Sequence, residues 1–269
     1  MILVNSYQEL LENIAYIRYI GKGFITNFYP DVNKHNLWIK NKYLYVIKEK
    51  ETILFFYKRD SHIAIYYVSS ALNELLEALK KIDNESIFVI DVISDSENSD
   101  ILSILKESNF KHYTTLRRMS KIKNEVAFLY QKNDNIQNAQ KDDFITIQNI
   151  LNEYFDKYAE QLPIEEEINR WIDKSNIILY KQENNIAGIL IYDIIGYTLY
   201  LRYWLVLSQY RNLKIGSELL KEFLYRGKDT KRQLFWVKEN NENAIKRYMH
   251  FGFKLENMYD FIWIKNKLI

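Results

Sequence analysis

Two stretches of this chain, residues 43–121 and 176–265, carry the same succession of hydrophobic periodicities, and that repetition restricts the folds open to it. In the first, three apolar runs at 43–48, 52–57 and 62–68 follow one another closely. A helical pattern from Ser70 to Ile82, a strand-like run at 86–93, a short helix at 98–108 and a run at 111–121 complete it. The second gives runs at 176–181, 186–193 and 198–207, a helix at 215–227, a run at 232–237, a helix at 242–250 and a run at 257–265. This order predicts an α/β fold built twice, each copy a mixed sheet flanked by helices. Asn36-x-Trp38-Ile39 lines up with Asn169-x-Trp171-Ile172 ahead of the first run of each copy. The ends align as well, since Asn98 to Phe110 and Asn241 to Phe253 have equal spacing, with Leu105 in place of Tyr248 and Asn109 in place of Gly252.

A length of 269 residues suits two domains of roughly 100–150 residues each. They are expected at 1–126 and 127–269, the junction leading into the polar stretch Tyr130–Asp143. Phe144, Ile147, Ile150, Leu151 and Tyr154 then recur at helical spacing until a stop by Pro163. The chain has no cysteine, which excludes disulfides, thiolate zinc sites and a cysteine nucleophile. His35, His62, His112 and His250 are scattered, so no metal site is expected. A formal charge of +2 offers no footprint for nucleic acid or an anionic membrane. Residues 1–14 include acidic side chains and no long apolar run, so a cytoplasmic protein without membrane span is expected.

Two segments carry chemistry. Val206-Leu-Ser-Gln-Tyr-Arg-Asn-Leu-Lys-Ile-Gly216 passes from an apolar strand through a polar turn into an amphipathic helix. Such a turn cradles anions, because the free N–H groups of the new helix point at whatever sits there. Arg211 adds a guanidinium suited to a bidentate phosphate contact. Downstream, Asn241-x-x-Ala244-x-x-x-Tyr248-x-x-x-Gly252-Phe253 sets a helix behind the next strand, with the Tyr248 phenol able to face the same cleft. Asn241 also suits a helix N-cap.

Together these segments resemble the GCN5-related N-acetyltransferase (GNAT) family, whose phosphate-binding motif reads Arg or Gln, two residues, Gly, one residue, Gly or Ala. The matching residues are Arg211, Asn212, Leu213, Lys214, Ile215 and Gly216, with Ser217 next. Lys214 stands where the first glycine is usual. A helix N-terminus accommodates it if φ is negative, and its ammonium can assist a phosphate. The first copy has only Ser69-Ser70-Ala71 between its third strand and next helix, without arginine or glycine. The resemblance therefore implies a tandem form whose degenerate N-terminal copy does not bind CoA in the usual way. Ala139-Gln140-Lys141-Asp142 resembles the family's entry into its first helix.

The resemblance also implies that acetyl-CoA, or another acyl-CoA, lies in a V-shaped gap where a strand near Tyr200–Leu207 splays from one near Gln233–Val237. Leu205, Val206 and Leu207 would hold the pantetheine arm through main-chain groups that are costly to leave unpaired. The loop from Arg211 to Ser217 would take the pyrophosphate, and Asn241 and Ala244 would complete the cofactor site. Tyr248 is then expected to be the general acid for the departing thiolate, and Glu239 the base for the amine. Core packing and a solvated turn are the plain alternatives for these two. Glu165, Arg202, Tyr203 and Trp204 are candidates for the acceptor pocket, with Tyr158 and Gln161 in the same connection as Glu165. Glu165, Glu166 and Glu167 equally suit the first turn of a helix. Alternation predicts Arg202 and Trp204 on one strand face and Tyr203 on the other, with Leu201 and Leu205 in the core. The expected activity is transfer of a short acyl group to a small-molecule or peptide amine by direct attack. A non-catalytic acyl-CoA binding module and a Fem-type, tRNA-dependent aminoacyl transferase are the other functions in view.

Overall fold

The computed structural model describes residues 1–82, 85–96, 99–122 and 131–266; the expected junction at 126/127 and Asn98 lie outside the described residues. The chain divides into two compact units, Met1–Leu116 with Asn257–Ile269, and Arg117–Glu256.

The first unit runs β1 (Ile2–Leu3), α1 (Tyr7–Ile20), β2 (Ile25–Thr26), α2 (Val32–Lys40), β3 (Leu44–Glu49), β4 (Thr52–Lys58), β5 (Ile63–Ser69), α3 (Leu72–Lys80), β6 (Phe88–Ser94), α4 (Asp100–Glu107) and the start of β7 (Lys111–Ile122). The elements ahead of residue 43 add to those that periodicity predicts. The first of these helices, α1, starts at Ser6, whose side chain accepts the Glu9 N–H, and stops at Gly21, which takes φ 73°. Strands β3, β4 and β5 form an antiparallel meander, and β6 returns parallel to β5. The apolar run of β4 is buried on both faces. Leu54 and Phe56 pack with Leu75, Leu79 and Leu105 of α3 and α4, while Ile53, Phe55 and Tyr57 pack with Leu10, Ile17 and Trp38 of α1 and α2.

Strands β5 and β6 register only at Ile63↔Phe88 and Ala64↔Val89. Beyond that point the chain fills the gap itself. Strand β2 pairs with the end of β5 at Ile25↔Ser69 and Thr26↔Val68. The Asn27 side chain accepts the Tyr67 N–H at 2.7 Å and donates to the Ile65 and Asp91 carbonyls at 3.4 and 3.1 Å. These contacts satisfy strand groups that would otherwise need an outside partner.

The second unit continues with β8 (Ile136–Asn138), a 3₁₀ turn at Lys141–Asp143, α5 (Phe144–Tyr154), α6 (Glu165–Asp173), β9 (Ile177–Gln182), β10 (Asn185–Ile195), β11 (Thr198–Val206), a 3₁₀ turn at Ser208–Tyr210, α7 (Ile215–Arg226), β12 (Arg232–Lys238), α8 (Glu242–His250) and the start of β13 (Lys254–Lys265). Residues of β13 from Asn257 onward belong to the first unit, where they pair antiparallel with β6. Strands β8 to β11 are antiparallel, and β12 lies parallel to β11. Ile147, Ile150 and Trp171 of α5 and α6 pack on one sheet face, and Leu219, Phe223 and Tyr248 of α7 and α8 on the other. Apart from β2, the order of helices and strands thus repeats that of the first unit. The aligned tryptophans fall on corresponding helices, α2 and α6, and both are buried. Among the described residues, no helix is long and apolar enough to cross a membrane.

Candidate functional site

Parallel pairing of β11 and β12 is limited to Thr198↔Arg232, Leu199↔Gln233 and Tyr200↔Leu234, although β11 runs on to Val206 and β12 to Lys238. On its other edge β11 stays paired with β10 as far as Gly188↔Val206. A one-sided split therefore opens along the second half of β11, and among the described residues no segment corresponding to β2 is paired into it.

The split leads to the phosphate-loop candidate. Arg211 is extended at φ −65°, whereas Asn212 and Lys214 are left-handed at φ 69° and 61°. The condition of a negative φ at Lys214 is thus not met. The chain passes from the 3₁₀ turn into α7 in only a few residues, and left-handed residues make that reversal. The first helical bond runs from the Glu218 N–H to the Lys214 carbonyl at 3.1 Å, leaving the amides of Ile215, Gly216 and Ser217 without an intrahelical acceptor. Left-handed residues followed by a helical turn gather such amides into an anion-binding nest. A lysine there is strained by roughly 1–2 kcal/mol, partly offset by the unfolded-state entropy that a glycine would add. Lys214→Gly is expected to raise stability by about 0.5–1 kcal/mol in urea unfolding. A lower unfolding midpoint for that variant would refute the strain.

A pocket of ≈ 420 Å³ lies between this loop and α8. Trp204 and Val206 of β11 wall it on one side, with Arg211, Asn212, Lys214, Ile215, Gly216 and Ser217 from the loop and helix start. Lys246, Arg247, His250 and Phe251 close the other side, and among the described residues no acidic side chain lines it. The three basic residues of α8 are absent from the sequence-derived site. Their spacing on a helix whose other face is apolar was the available signal. The Trp204 indole Nε1 is buried and has no hydrogen-bond partner among the described residues. An elongated ligand with an anionic end fits this lining: amides and cations at the loop, an open strand edge, and an unused indole N–H.

Tyr248 is buried, with its ring 4.0 Å from that of Phe235 and 5.1 Å from that of Trp204. The end of α8 explains the spacing of its motif. The Phe253 N–H bonds back to the Tyr248 carbonyl at 3.2 Å and the Gly252 N–H to the Met249 carbonyl at 2.9 Å, with Gly252 left-handed at φ 86°. The first unit closes α4 in the same way. There Phe110 bonds back to Leu105 and Asn109 to Lys106, with Asn109 at φ 67°. One helix stop thus occurs in both copies, and leucine suffices for it in the first.

Burial raises the Tyr248 phenol pKa well above the usual tyrosine value, and the negative charge of Glu160 raises it further. Glu160, in the connection between α5 and α6, was not among the residues singled out from sequence. Its Oε2 accepts the Asp156 N–H at 2.6 Å, and burial raises its carboxyl above the ordinary range. Asp156 is paired with Lys238 at the end of β12, at 3.0 Å. The Tyr203 hydroxyl donates to the carbonyls of Glu160 and Gln161, each at 3.0 Å, tying the connection to β11.

Residues 144–253 match the sequence model of the Acetyltransferase (GNAT) family. They form a GNAT domain. Solved structures of similar fold include a GCN5-related N-acetyltransferase from Sphaerobacter thermophilus, with TM-score 0.56 and 11% identity over 95% of this chain and 92% of that one. A GNAT-family acetyltransferase from Colwellia psychrerythraea gives TM-score 0.55 and 13% identity, covering 98% of each chain. A tandem GNAT protein from the clavulanic acid biosynthesis pathway gives 0.59 and 8%, over 98% of this chain and 97% of that one. At such identities the likeness is one of fold. No curated protein matches the sequence.

The remaining candidates in the GNAT domain are spread around the split. Glu239 is exposed in the turn after β12. The Asn241 side chain accepts the Ala244 N–H at 3.2 Å and so caps α8. Glu165 is exposed at the start of α6, where Glu167 accepts the Ile164 N–H at 3.2 Å. Leu205, Leu207 and Leu213 do not line the pocket, nor do Asn241 and Ala244. Strict alternation along β11 fails, because Ile191 opposes Tyr203 while Tyr192 opposes Leu201, leaving Arg202 as the extra residue of a bulge. Arg202 pairs with Asp193 at 2.9 Å, and Asp193 also accepts the Trp171 indole N–H on the α5 and α6 side. Trp204 joins the cluster under α7 and α8, so Arg202 and Trp204 do not share a face. Leu201 is core in one cluster, whereas Leu205 is partly buried and packs against another.

Proposed function

We propose that the chain transfers an acetyl or other short acyl group from acyl-CoA to a small-molecule or peptide amine, with residues 127–269 as the catalytic copy and residues 1–126 as a degenerate one. The contrast between the two splits carries this reading. The gap beside β5 is filled by Asn27 and β2, whereas the gap beside β11 leads to free helix amides and a basic pocket.

Acyl-CoA supplies the thioester. The Ile215, Gly216 and Ser217 amides with Arg211 and Lys214 hold its pyrophosphate, and the main chain of Leu205, Val206 and Leu207 with the Trp204 indole lies along its arm. Asn241 and Ala244 shape the start of α8 beside it. Tyr248 keeps its proton at neutral pH and gives it to the departing sulfur as the new N–C bond forms and the C–S bond breaks. Glu160 receives the proton lost by the amine nitrogen; its desolvated carboxylate suits that role better than Glu239, which lies exposed and serves as a proton outlet to solvent. Glu165, Arg202 and Tyr203 border the acceptor side.

Release of the CoA thiol, read with a thiol reagent, tests this directly, because a protein without cysteine gives no background. Amine-dependent thiol release from acetyl-CoA on a panel of acceptors is the expected result. Tight acetyl-CoA binding without release on any amine would instead favour a binding module.

A further inference from the structure

Helix α8 has two working faces. Ala244, Ile245 and Tyr248 pack into the core of the second unit, while Lys246, Arg247 and His250 line the pocket. Lys246 pairs with Glu242 at 3.2 Å, but both side chains are about three-quarters exposed, at 73% and 78%, so solvent weakens that tie. Arg247 has no carboxylate within ion-pair distance among the described residues. The phosphate loop supplies its own cations, Arg211 and Lys214, and three free amides, enough to match a pyrophosphate. Lys246 and Arg247 therefore form a second positive group, beside the imidazole of His250, in a pocket without acids among the described residues, and a second anionic group on the ligand is their natural complement.

Resting on the acyl-CoA reading above, we propose that Lys246, Arg247 and His250 bind the phosphate monoester on the donor's ribose. The donor is then selected as a full CoA thioester, over one on a phosphopantetheine arm or a dephosphorylated nucleotide. Cations in the last turn of a helix also complement its dipole. That purely structural role would affect all donors alike.

The test compares dissociation constants of CoA and 3′-dephospho-CoA by calorimetry, on the full chain and on its Arg247→Ala variant. The wild-type chain is expected to prefer CoA by about tenfold or more, the scale of one charge-assisted hydrogen bond. Arg247→Ala should weaken CoA by a similar factor and leave dephospho-CoA within about twofold, so that the preference collapses. Equal wild-type affinity for the two, or equal weakening of both by the substitution, overturns the assignment while leaving the acyl-CoA reading intact. If the wild type binds neither, the acyl-CoA reading fails and this inference with it.

Discussion

Replacement of Tyr248 by phenylalanine is expected to lower kcat for acyl transfer by about 10²–10⁴-fold, the usual contribution of a positioned general acid, with little change in the Kd of acyl-CoA. The ring's neighbours Phe235, Trp204 and Phe253 see the same hydrocarbon in the variant, so packing is retained and only the hydroxyl is lost. The first copy sharpens the expectation. Leu105 makes the same helix-ending bond without a phenol, so the helix stop does not require a tyrosine at 248. Burial and the Glu160 charge both oppose ionisation of the phenol. Loss of activity through Tyr248 deprotonation therefore begins only above the ordinary tyrosine pKa near 10, and the basic limb of the wild-type kcat profile should lie beyond that point. A Tyr248→Phe enzyme with unchanged kcat on every accepted amine would remove the general-acid role.

Gly216→Trp is expected to weaken acyl-CoA binding by at least about 100-fold, equivalent to roughly 2.7 kcal/mol or more. A Cβ at this position would already stand 3.0 Å from Trp204 Cζ2 and 3.4 Å from Val206 Cγ2. An indole beyond that Cβ must either push Trp204 aside or fill the pocket between the loop and α8, and both outcomes displace a donor. The free amides that would hold a pyrophosphate also lie within this turn. Fluorescence titration with acetyl-CoA reads the loss, and circular dichroism checks that the helices persist. Wild-type affinity in a folded Gly216→Trp protein would move the donor site elsewhere.

The sequence was informative wherever a pattern reports local geometry. Short apolar runs indicated strands close to β3, β4, β5 and β9 to β12, and the 3.6-residue spacing indicated α3, α4, α7 and α8, because the placement of apolar side chains follows directly from backbone form. The Asn241 cap and the Gly252 stop are equally local. Patterns fail where one residue alters the register, as Arg202 does in β11, or where a loop selects a conformation its residue type disfavours, as at Lys214.

The chain alone thus determined its repeated α/β plan, the absence of thiol chemistry, and the lack of an arginine- and glycine-bearing loop after the third strand of the first copy. Tertiary structure decided which gap is open, by setting Asn27 beside Tyr67 in one copy while the described residues of the other hold no such insert. It also decided which carboxylate charge opposes ionisation of Tyr248, since Glu160 comes from a distant connection held by Tyr203 and Asp156. Hydrogen bonds within a helix or turn join near neighbours and leave a trace in residue spacing. Burial, desolvation and charge coupling between distant segments arise only when the chain closes on itself.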